Sequence, residues 1–281
     1  MEALYRCFLK YLRNETNLAR ESIDCYAGFM RLILGECPDP SPEDIKSLKR
    51  RWIDEGRSAC YINKMLSSVA HYFRMLGLEV RFKRLSESEG IVEYLEDYQV
   101  REVFRVIDEY SKNMHLRLRN RAIVACSLYG SARRKEICSL LVDDVDPVKR
   151  IIRFRVPKNK KPDVSYLNNR GAEILEEWLN YRADHWYYRG TRALFLGEHG
   201  ETLTPDGVSQ AMKYISDRCG FRVTITILRH TLGTWMRIQG ADLLDIKAQL
   251  RHRNIRSTLK YVNTADKRLL KERVDKYVPG F

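Results

Sequence analysis

The chain has 281 residues, more than one compact domain usually holds, so two domains with separate cores are expected. Lys and Arg number 50 against 37 Asp and Glu, and the resulting net charge of +13 favours a polyanionic partner such as nucleic acid. Seven cysteines (Cys7, Cys25, Cys37, Cys60, Cys126, Cys138 and Cys219) are an odd number without a C-x-x-C pair, which argues against a disulfide framework or a zinc site. They read as reduced, mostly buried thiols. There is no signal-type N-terminal run and no apolar stretch of membrane-spanning length, so a soluble, cytoplasmic protein is expected. The charge is uneven: residues 1–90 hold 15 basic and 13 acidic residues, leaving roughly +2 there and roughly +11 beyond.

In chain order, Leu4, Tyr5, Phe8, Leu9, Tyr11 and Leu12 follow helical spacing, as do Ile23, Tyr26, Ala27, Met30, Leu32 and Ile33. After the breakers 35–42, Ser41 and Pro42 followed by Glu43 and Asp44 predict a helix start, running to about Asp54. Tyr61 to Phe73 predicts a fourth helix, ending near Gly77. Residues 1–80 therefore read as a small helical bundle. The polar stretch Arg81 to Gly90 marks a linker, placed at 81–92, ahead of a larger unit at 93–281. That unit is predicted to begin with a helix introduced by Tyr94 to Asp97 and a second over Arg121 to Tyr129. Ile151 to Val156 alternates as a strand, and Asp163 to Leu167 is its hairpin partner across the basic turn Pro157 to Pro162. Helices follow at 172–181, 205–219, 228–238, 243–250, 257–261 and 266–277. The fold class is mainly α with a small β-sheet.

No glycine-rich phosphate loop, H-E-x-x-H motif or paired metal-ligand spacing occurs. What stands out is a set of dispersed residues: Arg133 with Glu136, Lys158 on the basic turn, Arg229 and His230, His252, and Tyr261 nine residues later. Singly, each has an ordinary reading. The arginines suit a solvated helix face, Lys158 a solvated turn, His230 a packed core, and Tyr261 is one of 16 tyrosines.

In combination they resemble a known family. Tyr129-Gly-Ser-Ala-Arg133-Arg-Lys-Glu136 looks like the first-arginine box of tyrosine recombinases, the phage integrase family, and Leu228-Arg229-His230-Thr-Leu-Gly-Thr-Trp235 like the second. Gln249-Leu-Arg-His252 resembles the leucine-glycine-histidine motif, with Arg251 in place of the common glycine, and Ser257 to Tyr261 resembles the nucleophile segment. Residues 1–80 look like the helical, SAM-like core-binding domain of Xer-type enzymes, which makes 93–281 an α+β catalytic domain and leaves no room for an additional arm-binding domain.

The resemblance implies that Tyr261 attacks a DNA phosphate to give a 3'-phosphotyrosyl link, with Arg133 and Arg229 stabilising the charge that develops. Lys158 is implied as the acid for the 5'-oxygen, with Lys160 and Lys161 as fallbacks; His252 assists, and Glu136 and His230 support. Lys160, Lys161, Arg251 and Arg253 are candidate DNA contacts. Nearby cations are expected to lower the phenol's pKa. Neither metal nor cofactor is implied. Partners would be double-stranded DNA bearing a specific site and a tetramer of the chain on two sites, associated with the nucleoid, and the helix from Lys267 to Tyr277 would dock on a neighbour.

One departure is Thr226, where the family usually has histidine and sometimes lysine. Thr226 either contacts a phosphate, with slower cleavage than in a histidine-bearing relative, or caps the following helix. Two rivals remain: a catalytically impaired DNA-binding protein on the same fold, and a type IB topoisomerase, which the Xer-like N-terminal bundle opposes.

Overall fold

A computed structural model describes residues 2–86, 91–155, 163–185, 188, 190–197 and 200–277, without the side chains of 266–268 and 270–277. The chain divides into two compact units, Met1–Ser88 and Glu89–Phe281.

The first unit holds α1 (Glu2–Asn14), α2 (Arg20–Glu36), α3 (Pro42–Asp54) and α4 (Ala59–Met75). Their apolar stripes meet in one core built on Phe8, Leu12, Met30, Ile33, Ile45, Trp52, Val69 and Tyr72. Helix α3 starts where Ser41 predicts. The Ser41 hydroxyl accepts from Asp44 N at 3.2 Å, and the Asp44 carboxylate accepts from Ser41 N at 2.9 Å. Such a cap contributes about 1 kcal/mol. The stretch after α4 does not leave this unit at once. Phe82 and Leu85 pack on its core, and buried Asn63 clasps the Leu85 backbone through two 2.9 Å hydrogen bonds.

The second unit comprises α5 (Asp97–Tyr110), α6 (Met114–Leu128), α7 (Arg134–Ser139), β1 (Val145–Asp146), β2 (Ile151–Phe154), β3 (Asp163–Tyr166), α8 (Asn169–Asp184), α9 (Pro205–Cys219), α10 (Ile225–Ile238), α11 (Leu243–Gln249) and α12 (Arg256–Tyr277). The strands form an antiparallel sheet in the order β1-β2-β3, with Ile151 opposite Tyr166 and Phe154 opposite Asp163. Helix α6 is the central element, packed by α5, α8 and α10. It begins seven residues before the predicted Arg121. Asn113 caps it through Leu116 N at 2.8 Å, and its first half carries the buried polar residues His115, Arg119 and Asn120, which break the apolar period.

Three further expectations change. The predicted hairpin gains β1 as a third strand. The segments 257–261 and 266–277 are one helix, because Thr264 and Ala265 between them are buried and Thr264 donates to Lys260 O at 2.8 Å. The thiols are not mostly buried: Cys7, Cys25 and Cys60 are exposed, and Cys126 is the buried one. Helices α1, α2 and α4 turn one face to solvent, and these three cysteines lie on it. Among the described residues, no helix is long and apolar enough to cross a membrane.

Candidate active site

The site is built around the turn that joins α11 to α12. Its consecutive carbonyls hold two arginines from distant segments. Arg229, on α10, donates from Nη2 to Leu250 O at 3.1 Å, and Arg133, at the start of α7, donates from Nη2 to Arg251 O at 3.2 Å. Gln249 braces the same turn against the sheet. It accepts from Tyr166 N at 3.1 Å and donates to Tyr166 O at 2.7 Å and to Tyr129 O at 3.2 Å.

The two arginines differ in environment. The Arg133 side chain is 44% exposed and pairs with Glu136 Oε1 at 2.8 Å. Arg229 is buried, and among the described residues its Nη1 has no hydrogen-bond partner. Burial, then Arg133 and Arg251, lowers the Arg229 pKa to about 10, so the group stays charged at neutral pH. A buried guanidinium with a spare donor among other cations is suited to receive an anion.

Tyr261 lies on the second turn of α12 and is 1% exposed, packed with Ile246 and Leu250. Its ring is parallel to His252 within 8°, with centroids 6.1 Å apart, and edge-on to His230 at 5.9 Å. Room for it comes from Gly233 on α10. A Cβ there would stand 2.9 Å from Tyr261 Cζ and 2.9 Å from Leu250 Cδ1. Burial raises the phenol to about 12, with Arg229 and Arg133 pulling the other way. The expected lowering by cations is therefore reversed, because the loss of hydration outweighs two guanidinium groups.

His252 is half-buried, and its Nδ1 lies 3.0 Å from Thr258 Oγ1. Burial, then Arg229, Lys260 and Arg133, lowers it to about 4, so it is neutral near pH 7.

Glu136 accepts from Arg133 N at 2.7 Å and from Arg251 Nη1 and Nη2 at 3.0 and 2.7 Å. Burial favours its neutral form, yet these bonds and charges bring it down to about 2.

Arg251 differs from its expected place on DNA. Its side chain is 3% exposed, ion-paired with Glu136, bonded to Ser131 O at 2.9 Å and stacked 3.4 Å from the Phe154 ring centroid. Its φ of 53° lies in the left-handed region that glycine adopts freely. Arg253, by contrast, is exposed. Thr226 is exposed too, and it is not the helix cap. Thr224 fills that position by accepting from Ile227 N at 3.1 Å, which leaves the Thr226 side chain facing a cleft shared with Arg134, Lys213, Arg222 and His230. Lys158, Lys160 and Lys161 lie outside the described residues.

Sequence reasoning missed Lys260. Its Nζ lies 2.9 Å from His230 Nε2 and 5.2 Å from the Tyr261 ring centroid. It also missed Ser131 and Gln249 as braces. None of the three has a spacing signal, because each works through a contact between distant segments.

The comparisons with known proteins give the class, a tyrosine recombinase. A family model described as the phage integrase family matches residues 93–268, and the chain belongs to that family. Curated relatives include the tyrosine recombinase XerA of Pyrococcus furiosus, 26% identical over 96% of this chain and 92% of the relative. Another is the tyrosine recombinase XerD of Oceanobacillus iheyensis, 24% identical over 97% of each chain. Among solved structures, XerH recombinase in a post-cleavage complex with palindromic difH substrate aligns with a TM-score of 0.71 at 17% identity, covering 95% of this chain and 83% of that one. The Tn1549 transposon integrase in complex with circular intermediate DNA also aligns at 0.71, with 16% identity, covering 95% and 99%.

Proposed function

We propose that this chain cleaves and rejoins DNA strands at a specific site, with Tyr261 as the nucleophile. The observation that carries this reading is the convergence of Arg133 and Arg229 on adjacent carbonyls of one turn, beside the Tyr261 ring. Two guanidinium groups held in this way can donate to one phosphate and stabilise the charge it gains as the phenol attacks. The phosphodiester energy is stored in a phosphotyrosyl ester, so a strand can be resealed without an external energy source. By family analogy the ester is on the 3' side and the 5'-oxygen leaves as a hydroxyl, protonated by Lys158 or, failing it, Lys160 or Lys161. His252 would hydrogen-bond the phosphate, and Glu136 holds Arg133.

The partner is double-stranded DNA, gripped through phosphate contacts by the basic residues beyond residue 90, with Arg253 among the exposed candidates. Exchange between two duplexes calls for four protomers, and the end of α12 is our candidate for their contact. Near full-length similarity to Xer recombinases supports an enzyme that resolves chromosome dimers or integrates and excises a mobile element, acting at the nucleoid. The catalytically impaired reading is not favoured, since Arg133, Arg229, His252 and Tyr261 are all present and clustered.

The test is to incubate the full chain with fragmented genomic DNA of its host, denature, and sequence the DNA that stays attached. One recurring sequence attached through Tyr261 is expected. Adducts lacking a common sequence would favour a topoisomerase, and specific retention without any adduct would favour a binding protein.

A further inference from the structure

Thr226 leaves the position three residues before Arg229 without a side chain that can take a proton near neutral pH. His230 lies one helical turn further along α10, on the same face, and both residues line the cleft beside α9. Lys260 comes from α12, which packs against α10. Its half-buried amine is 2.9 Å from His230 Nε2 and 5.2 Å from the centroid of the Tyr261 ring. The His230 ring also bonds the Glu93 backbone, and a tautomer protonated toward Glu93 lets Nε2 accept from Lys260.

We propose that Lys260, held in place by His230, takes the phenolic proton of Tyr261 during strand cleavage. Supplied from the nucleophile's own helix, it does what Thr226 cannot. This inference rests on the recombinase reading. In the step, the O–H bond of Tyr261 breaks and the proton passes to the Lys260 amine. The freed electron pair forms the bond to phosphorus, the bond from phosphorus to the 5'-oxygen breaks, and that oxygen receives its proton from the separate acid assigned to Lys158. Resealing runs the same transfers backwards.

The charges around the amine favour this. Arg229 and His230 face it from α10, His252 faces it from the turn before α12, and Tyr261 is its neighbour. None of these is an anion while the phenol is protonated. Burial and then Arg229 disfavour the ammonium form, and His230, itself lowered to about 4, stays a neutral acceptor. Two other roles can be separated from proton transfer: a fixed positive charge near the phosphate, and an acid for the leaving group.

The experiment uses a nicked suicide duplex carrying the sequence recovered by Tyr261 crosslinking, with the full chain and its variants Lys260→Arg, Lys260→Met and Lys260→Met/Thr226→His. Both single variants are expected to form the covalent complex about a hundredfold more slowly in single turnover near neutral pH, while still retaining the duplex. A substrate with sulfur in place of the bridging 5'-oxygen, whose leaving group needs no acid, should leave that deficit in place. The histidine of the double variant should recover roughly tenfold or more of the lost rate. A wild-type rate for Lys260→Arg would overturn the proposal in favour of a fixed charge. Rescue of Lys260→Met by the sulfur substrate would overturn it in favour of a leaving-group acid. Failure of the wild-type chain to form any Tyr261 adduct would overturn the recombinase reading, and this one with it.

Discussion

Arg251 and Glu136 form a two-bond ion pair, at 3.0 and 2.7 Å, directly behind the two arginines of the site. The Arg251 carbonyl accepts from Arg133, and the Glu136 carboxylate accepts from both the backbone and the side chain of Arg133. One pair thus fixes the position of a phosphate-binding side chain. It also accounts for an arginine at a φ of 53°, where glycine is the less strained choice: the ion pair and the Phe154 contact offset a backbone cost of about 1–2 kcal/mol.

Replacing Arg251 by alanine keeps the strained backbone and removes the partner of a largely buried carboxylate. Destabilisation of about 3 kcal/mol is expected, at the low end for a broken buried pair because Glu136 keeps Arg133. Arg251→Gly relieves the backbone and should lose about 1 kcal/mol less. Urea unfolding of both variants checks the size and the order.

The pH dependence of stability has a defined sign. Glu136 is held near 2 in the folded protein, below its unfolded value, so its contribution is complete above that unfolded value and is lost as pH falls toward 2. His230 and His252, both near 4 when folded against an ordinary 6.5, act in the same direction over a higher window. Stability should therefore decline from about pH 6.5 downward, with a second loss below about 4.5. Urea midpoints measured across this range should show both phases. The second should be weaker in Glu136→Gln, and the first weaker in His252→Gln.

Gly233 is a packing requirement of Tyr261. Alanine in a helix is worth about 1 kcal/mol over glycine, but here its methyl group would meet Tyr261 and Leu250 at 2.9 Å. Overpacking of about 1–3 kcal/mol should cancel or exceed that gain. Because the displaced ring belongs to the nucleophile, Gly233→Ala should slow adduct formation by about a hundredfold while DNA retention persists. Single-turnover cleavage beside a retention assay separates the two.

The sequence reveals most where local chemistry decides the outcome. The α3 start is legible because Ser41, Pro42 and Asp44 suffice for the cap. The amphipathic helices of the first unit are legible because one face of each is solvated. The first half of α6 is not, since its buried Arg119 is satisfied far along the chain, donating to Leu196 O at 3.0 Å, and in turn donates to the buried Asn120 beside it. Thr224 and Thr226 are equally good caps on paper, and only the backbone path chooses Thr224. Arg251 carried a usable signal: a position where glycine is common suggests a left-handed residue in a tight turn, not one projecting toward DNA. Lys260 carried none, because its role depends on α10 lying against α12.

The most direct test of the central claim is mass spectrometry of the covalent complex formed on a suicide duplex carrying the recovered sequence. A single modified peptide is expected, with the nucleotide on Tyr261, and no adduct from Tyr261→Phe although that variant still retains the duplex. An adduct on any other residue, or one that persists in Tyr261→Phe, would contradict it.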